Sequence, residues 1–253
     1  MSSARPHGAR AVEQRRALGH HPIAAQRERN ARIREQVEAI AQTAITQTPS
    51  ATSEGAVDVI GVIPANTRET TRLPAATRRI FLSRLAERLH AVFSTVPTSD
   101  AAAMTAQRIA AMDPPPSDRA DAATILGLSC GTCRGECCTA GGDHAFLRAD
   151  SLTRVREQHP EANEGALLAS YAAYLPTRHY RGSCVYHTTA GCALPRAMRS
   201  NICNRYLCGG LTQLKRALES VEGNAAFVGA ADSVHLRRMA RIDVHGAKPI
   251  TLK

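Results

Sequence analysis

The chain has 253 residues, an apolar fraction of 43%, a formal net charge of +10 and no tryptophan. With aromatics at only 4%, its core must be built from Ala, Leu, Ile and Val, in one large domain or two modest ones. No run of about 18 apolar residues occurs, which argues against a membrane-spanning helix, and the start MSSARPHGARAVEQRR lacks the apolar stretch of a secretory signal.

Only three of the 32 basic side chains are lysines: Lys215, Lys248 and Lys253. An arginine charge suits a polyanion or protein partner. Nucleic acid is disfavoured, because no recognition motif is visible and aromatics for stacking on bases are scarce.

In chain order, residues 1–22 read as a flexible basic tail without periodicity. From Ile23 to Gln47, the spacing of Ile33, Val37, Ile40 and Ala44 predicts an amphipathic helix. Thr48 to Glu54 reads as a linker, and Val57 to Pro64 as a short strand or a loop packed on helices. Pro74 to Thr95 is a second helix, with Phe81, Leu85, Leu89, Val92 and Phe93 as its stripe. Arg78, Arg79, Arg84 and Arg88 form its basic side. Ala101 to Met112 is a further helical candidate, stopped by the stiff Asp113 to Ser117 hinge.

Beyond the hinge, Asp150 is placed to cap a short helix that ends at Pro160. Helices are expected at Glu164 to Leu175 (stripe Leu167, Leu168, Tyr171, Tyr174, Leu175) and at Leu211 to Glu222 (Leu211, Leu214, Leu218, Val221). A strand at Ala225 to Val228, a short helix near Val234 to Met239 and an extended end complete the chain. The expected fold is mainly α: a helical N-terminal region, then a small, loop-rich, metal-organised helical domain. The divisions are 1–22, 23–118, 119–222 and a C-terminal extension 223–253.

The chemistry lies in the cysteines. All eight fall between Cys130 and Cys208, as C-x2-C-x3-C-C (Cys130, Cys133, Cys137, Cys138), then 45 residues, then C-x7-C-x10-C-x4-C (Cys184, Cys192, Cys203, Cys208). Disulfides suit small exported domains that lack a core, and this chain is long and shows no export signal, so a reducing cytoplasm is expected. A single nucleophile would use one thiol with a histidine, far fewer than eight. Metal ligation accounts for the number: thiolate selects zinc, Cu(I) or iron–sulfur clusters. Eight thiolates suffice for two four-cysteine zinc ions, or for one 4Fe–4S cluster with four to spare. Gly131 and Gly135 permit the tight turns required, and Arg134, Arg196, Arg199 and Arg205 are near enough in sequence to offset the negative charge. Adjacent Cys137 and Cys138 are expected to point differently and to serve different metals.

Residues 127–210 resemble the YkgJ-type cysteine cluster proteins, described as a zinc- or iron-chelating domain; flagellin lysine-N-methylases carry a related cluster. The resemblance rests on the first four cysteines and on C-V-Y-H-T-T-A-G-C-A-L-P-R-A-M-R-S-N-I-C-N-R-Y-L-C, where Cys184, Gly191, Cys192, Arg199, Cys203, Tyr206 and Cys208 fall in the family's places. Ser200 stands where the family prefers Pro, and Asn204 where Arg is usual. The resemblance implies a metal-binding domain. It does not carry over the methylase activity, because no Gly-rich strand-to-helix loop for such a cofactor is visible.

The expectation is therefore a cytoplasmic protein binding zinc or an iron–sulfur cluster through all eight cysteines. The alternatives are an iron–sulfur enzyme of redox or group-transfer type, helped by Tyr186, His187, His144 or Asp143, or an arginine-rich module for a polyanion or protein partner.

Overall fold

The computed structural model describes residues 8–47, 58–95, 117–222 and 224–252. The helix expected over Ala101 to Met112, most of the proline hinge, and residues 1–7 lie outside them. In chain order the helices are α1 (Gly8–Gln47), α2 (Ala75–Ser94), α3 (Ala120–Cys133), α4 (Ala149–Gln158), α5 (Glu164–Ala173), α6 (Asn201–Arg205) and α7 (Gly209–Ser220). The strands are β1 (Asp58–Pro64), β2 (Thr70–Arg72), β3 (Arg178–Tyr180), β4 (His187–Thr188), β5 (Gly191–Cys192), β6 (Ala225–Ala231), β7 (Leu236–Asp243) and β8 (Gly246–Ile250).

The fold is mixed α/β, which corrects the expectation of a mainly α chain. Four strands form one mixed sheet in the order β1-β6-β7-β8, and two small antiparallel pairs, β2–β3 and β4–β5, stand apart. β1 runs parallel to β6, while β6–β7 and β7–β8 are antiparallel. The short helix expected near Val234 to Met239 is instead the turn into β7 and the start of that strand. Both strands of the parallel pair were legible, at Val57 to Pro64 and at Ala225 to Val228, although β6 reads A-A-F-V-G-A-A, and alanine and glycine carry little β-propensity. Its strand state comes from close packing: all seven residues are buried, with helices on both faces.

The period-2 alternation of the strands divides the apolar side chains between those faces. On one side Val37 and Ala41 of α1 pack on Phe227 and Met239, beside Ile60 and Val62. On the other, Ala122, Ile125 and Leu126 of α3 and Leu211, Leu214 and Leu218 of α7 cover Val59, Ile63, Ala226, Val228 and Ile242. A side chain at Gly210 would collide with the Val62 carbonyl and the Ile63 backbone, so α7 begins directly against β1. Val221, expected on the α7 stripe, is exposed.

A second core lies beside the sheet. Phe81, Leu85, Leu89 and Val92 of α2 meet Leu152 and Val155 of α4, Leu167 and Tyr171 of α5, and the buried Tyr186. The arginine side of α2 faces this same region: Arg84 pairs with Asp143, and Arg88 donates to the Leu147 carbonyl at 2.9 Å. α1 starts at Gly8, so its first turns occupy part of the stretch read as a tail.

Candidate metal centre

The cysteines sit between the two cores. Cys130 and Cys133 are on the last turn of α3; Cys137 and Cys138 are in the 3-10 turn Glu136–Gly141. Cys184 precedes β4, Cys192 lies in β5, Cys203 in α6, and Cys208 is the N-cap of α7. All eight are free thiols. Cys133 and Cys208 belong to the sheet-side core, whereas Cys184 and Cys192 pack on the α2–α4–α5 core.

The thiols are close enough to feel one another across both halves of the pattern. Cys130 feels Cys137, Cys133 and Cys208, and Cys133 feels Cys137 and Cys208. Cys138 feels Cys137, Cys184 and Cys192, Cys184 feels Cys192 and Cys203, and Cys203 feels both Cys192 and Cys137. The backbone ties the halves directly: the Cys184 N–H donates to the Cys138 carbonyl at 3.1 Å, and Cys192 pairs with His187 across the β4–β5 hairpin. The adjacent thiols of Cys137 and Cys138 share a hydrogen bond.

Burial, and next the repulsion of Cys137, push the Cys130 thiol up to about 12, although that residue keeps an exposed face. Burial pushes Cys184 up to about 12 as well, against the opposing effect of a hydrogen bond from the Tyr186 N–H. The hydrogen bond from Cys138 brings Cys137 down to about 7, and donating that bond raises Cys138. Burial also raises Cys133 and Cys203. Crowded, water-poor thiols resist ionisation, and a bound cation inverts that balance.

The donor chemistry suits a thiophilic metal on three observations. All eight sulfurs are reduced. The Glu136 N–H donates to Cys133 Sγ at 3.3 Å with Gly135 assisting, and the Tyr186 N–H serves Cys184; such N–H···S bonds favour thiolate. Arg199 supplies positive charge that both Cys130 and Cys203 feel. Among the described residues no group of three or more His, Cys, Asp or Glu side chains stands close enough to hold a metal ion.

Several residues that the sequence did not single out hold the ligand segments. Arg238 donates to the carbonyls of Thr132 (2.9 Å), Cys133 (3.1 Å) and Asn66 (3.0 Å), a cation at the carboxyl end of α3. Asn66 donates to the Arg134 carbonyl at 3.1 Å, and its own N–H bonds the Cys133 carbonyl at 2.9 Å. Arg134 and Gly135 turn the chain in the left-handed region, at φ 57° and 71°. A side chain at Gly135 would come within 2.6 Å of His187 Nε2. Arg154, buried on α4, donates to the carbonyls of Ala197 (2.7 Å) and Arg199 (2.6 Å) and to Asn201 Oδ1 (2.7 Å). Asp150 binds Asn201 Nδ2 at 3.1 Å and makes no side-chain cap on α4, whose N-cap is Arg148. A lone Arg or Asn in sequence carries no signal for this work; the partners named are 43 to 172 residues away.

The four expected helpers are all engaged in packing. Tyr186 is fully buried, donates its hydroxyl to the Tyr171 carbonyl at 2.8 Å and stands edge-on to Phe81. His187 is buried between Ser183 Oγ (2.8 Å) and the Arg134 carbonyl (2.9 Å). Its Nε2 must carry the proton to donate to that carbonyl, and burial lowers its basicity. His144 Nδ1 accepts from the Phe146 N–H at 3.0 Å, and Asp143 is held by Arg84. Of the arginines expected near the thiols, Arg196 donates to the Asn204 carbonyl and Arg199 to that of Leu194. Arg134 and Arg205 have exposed side chains.

The centre lies at a defined place in the fold. Ala65, just past β1, donates to the carbonyl of Ala231 at the end of β6, and Asn66 leads from there to α3. The carboxyl ends of the two parallel strands, the amino end of α7 and the carboxyl end of α3 thus converge beside Cys133 and Cys208. Open α/β sheets bind ligands outside the carboxyl ends of parallel strands. The chain matches no family model, no curated protein and no solved structure in the comparisons made. Among the described residues no helix is long and apolar enough to cross a membrane.

Proposed function

We propose that this chain is a metal protein of a reducing compartment, the cytoplasm, whose eight cysteines hold zinc or an iron–sulfur centre in two four-thiolate sites. The observation that carries the reading is the gathering of eight free thiols between the two cores, with N–H···S bonds to Cys133 and Cys184. The resemblance of residues 127–210 to the cysteine cluster proteins supports it from the sequence side. A bound cation would neutralise thiolates that are otherwise costly to bury and would tie the two cores together. The residues around the thiols do the rest. Arg238 and Asn66 hold the end of α3, Arg154 holds the loop before Cys203, and Arg199 offsets negative charge.

The test is metal analysis with an absorption spectrum on protein purified without oxygen. A colourless protein with two zinc ions per chain, or a brown one with thiolate–iron charge-transfer absorption, is the expected result and names the metal. A folded protein free of metal would sink the reading.

A further inference from the structure

We propose that Arg72 and Arg178, on the two-stranded β2–β3 ribbon, form a binding site for a terminal phosphoryl dianion, either free phosphate or a phosphomonoester. The site uses none of the thiols, so it stands or falls separately from the metal reading.

Both arginines are exposed, and the ladder sets them directly opposite one another. The flanking backbone bonds fix the kind of opposition. The Leu73 N–H donates to the Thr177 carbonyl at 3.0 Å, and the Arg181 N–H to the Glu69 carbonyl at 2.9 Å. Those are positions of the hydrogen-bonded type, and the two types alternate along an antiparallel pair. Arg72 and Arg178 therefore occupy the other, closer type, with Cα atoms about 4.5 Å apart and side chains on one face. Like charges in that relation destabilise a ladder, and an anion shared between them reverses the sign.

The neighbouring chain supplies no such anion. No Asp or Glu occurs in residues 70–86, which contain β2, or in residues 165–218, which contain β3. α2 begins just past Arg72 with no acid in its first turn. Glu69, next before β2, stands opposite Arg181, and strand alternation turns that pair to the other face. Among the described residues no acidic side chain forms an ion pair with Arg72 or Arg178.

Arg178 is also held in place. Its Nη2 donates to the Thr70 carbonyl at 3.1 Å and to Thr70 Oγ1 at 3.2 Å, which occupies one nitrogen and leaves Nε and Nη1 for a ligand. The ribbon is anchored on either side by Leu73 and Leu175, both buried in the second core. Two guanidinium groups on one face match a phosphoryl dianion: its terminal oxygens accept from both forks, and its two charges offset both. A carboxylate or a phosphodiester offsets only one.

The experiment follows the arginine Nε–H resonances of the isotope-labelled full chain during titration with inorganic phosphate, phenyl phosphate and dimethyl phosphate at constant ionic strength, with thermal unfolding in parallel. The expected result is saturable movement at Arg72 and Arg178, about tenfold or more tighter for phosphate or phenyl phosphate than for dimethyl phosphate, and a higher unfolding midpoint in phosphate than in chloride. Tighter binding of phosphate names the free anion as ligand, and tighter binding of phenyl phosphate names a phosphomonoester. Arg72→Gln is expected to be at least as stable as the parent in chloride, because the repulsion is gone, and to lose the gain in phosphate. Arg181→Gln removes the same charge from the other face and keeps that gain. Dimethyl phosphate bound as tightly as phosphate would point to a diester backbone and overturn the proposal. So would the absence of saturation, an equal loss of the gain in Arg181→Gln, or an Arg72→Gln variant less stable than the parent in chloride.

Discussion

The amide of Cys184 donates a hydrogen bond to the carbonyl of Cys138 at 3.1 Å. That bond joins the two halves of the cysteine set across the 45 residues between them. It is a main-chain contact, and it brings the two halves of the pattern together without using either sulfur.

If the thiols hold metal, removing it lowers stability by mass action. At a thousandfold excess over the dissociation constant one site is worth about 4 kcal/mol, or about 10 °C in the unfolding midpoint of a chain this size. Differential scanning calorimetry of loaded and chelator-stripped protein, both kept reduced, checks this; superimposable transitions would contradict it.

Arg154→Met leaves the Ala197 and Arg199 carbonyls and Asn201 Oδ1 without their buried donor. The expected cost is about 3 kcal/mol in urea unfolding. Arg154→Lys should recover less than half, because an ammonium cannot reproduce the forked donor geometry.

Tyr186→Phe removes one hydrogen bond, to the Tyr171 carbonyl, and keeps the ring contact with Phe81. It is expected to cost about 1 kcal/mol and to leave metal content unchanged. A lost metal at unchanged stability would return Tyr186 to the list of chemical residues.

Gly210→Ala places a methyl group against the Val62 carbonyl and the Ile63 backbone, atoms that cannot step aside as a flexible side chain would. The expected loss is about 2 kcal/mol, read as a lower denaturation midpoint. Gly127→Ala is the control: a Cβ there meets nothing within 4 Å, and its stability should not fall.

Asp232, in the turn between β6 and β7, accepts from the N–H groups of His235 (2.8 Å) and Val234 (2.7 Å) and pairs with Arg237. The backbone bonds hold its carboxyl down to about 2, against an ordinary 3.8. Its folded value is depressed, so its stabilising effect is complete above 3.8 and is lost as pH falls from there toward 2. Asp232→Asn should remove that part of the acid dependence, seen as a smaller difference between variant and parent at pH 2 than at pH 6.

Much of the α2 helix was legible, because Phe81, Leu85, Leu89 and Val92 repeat with helical period and are all buried. Leu211, Leu214 and Leu218 mark α7 for the same reason. The sheet was legible at β1, where Val and Ile cluster, and at the first half of β6, expected as a strand over Ala225 to Val228. β7 escaped because Leu236 to Asp243 mixes arginines with its apolar residues. Arg238 and Arg241 on that strand are occupied by distant partners, the end of α3 and Asp58.

Local information was enough for the thiol inventory. Eight cysteines in a segregated pattern with C-x2-C spacing point to soft-metal chemistry, since ligand type is a property of the side chain and turn spacing of the adjacent backbone. Bringing those thiols to one region depends on long-range packing: α7, which starts at Cys208, seats on β1, and the Cys184 loop bonds the Cys138 turn. Likewise Tyr186 and His187, beside Cys184 in sequence, became packing residues once Tyr171, Ser183 and Arg134 were brought to them. Residue chemistry is written locally; which residues share a site is set by which surfaces the chain buries together.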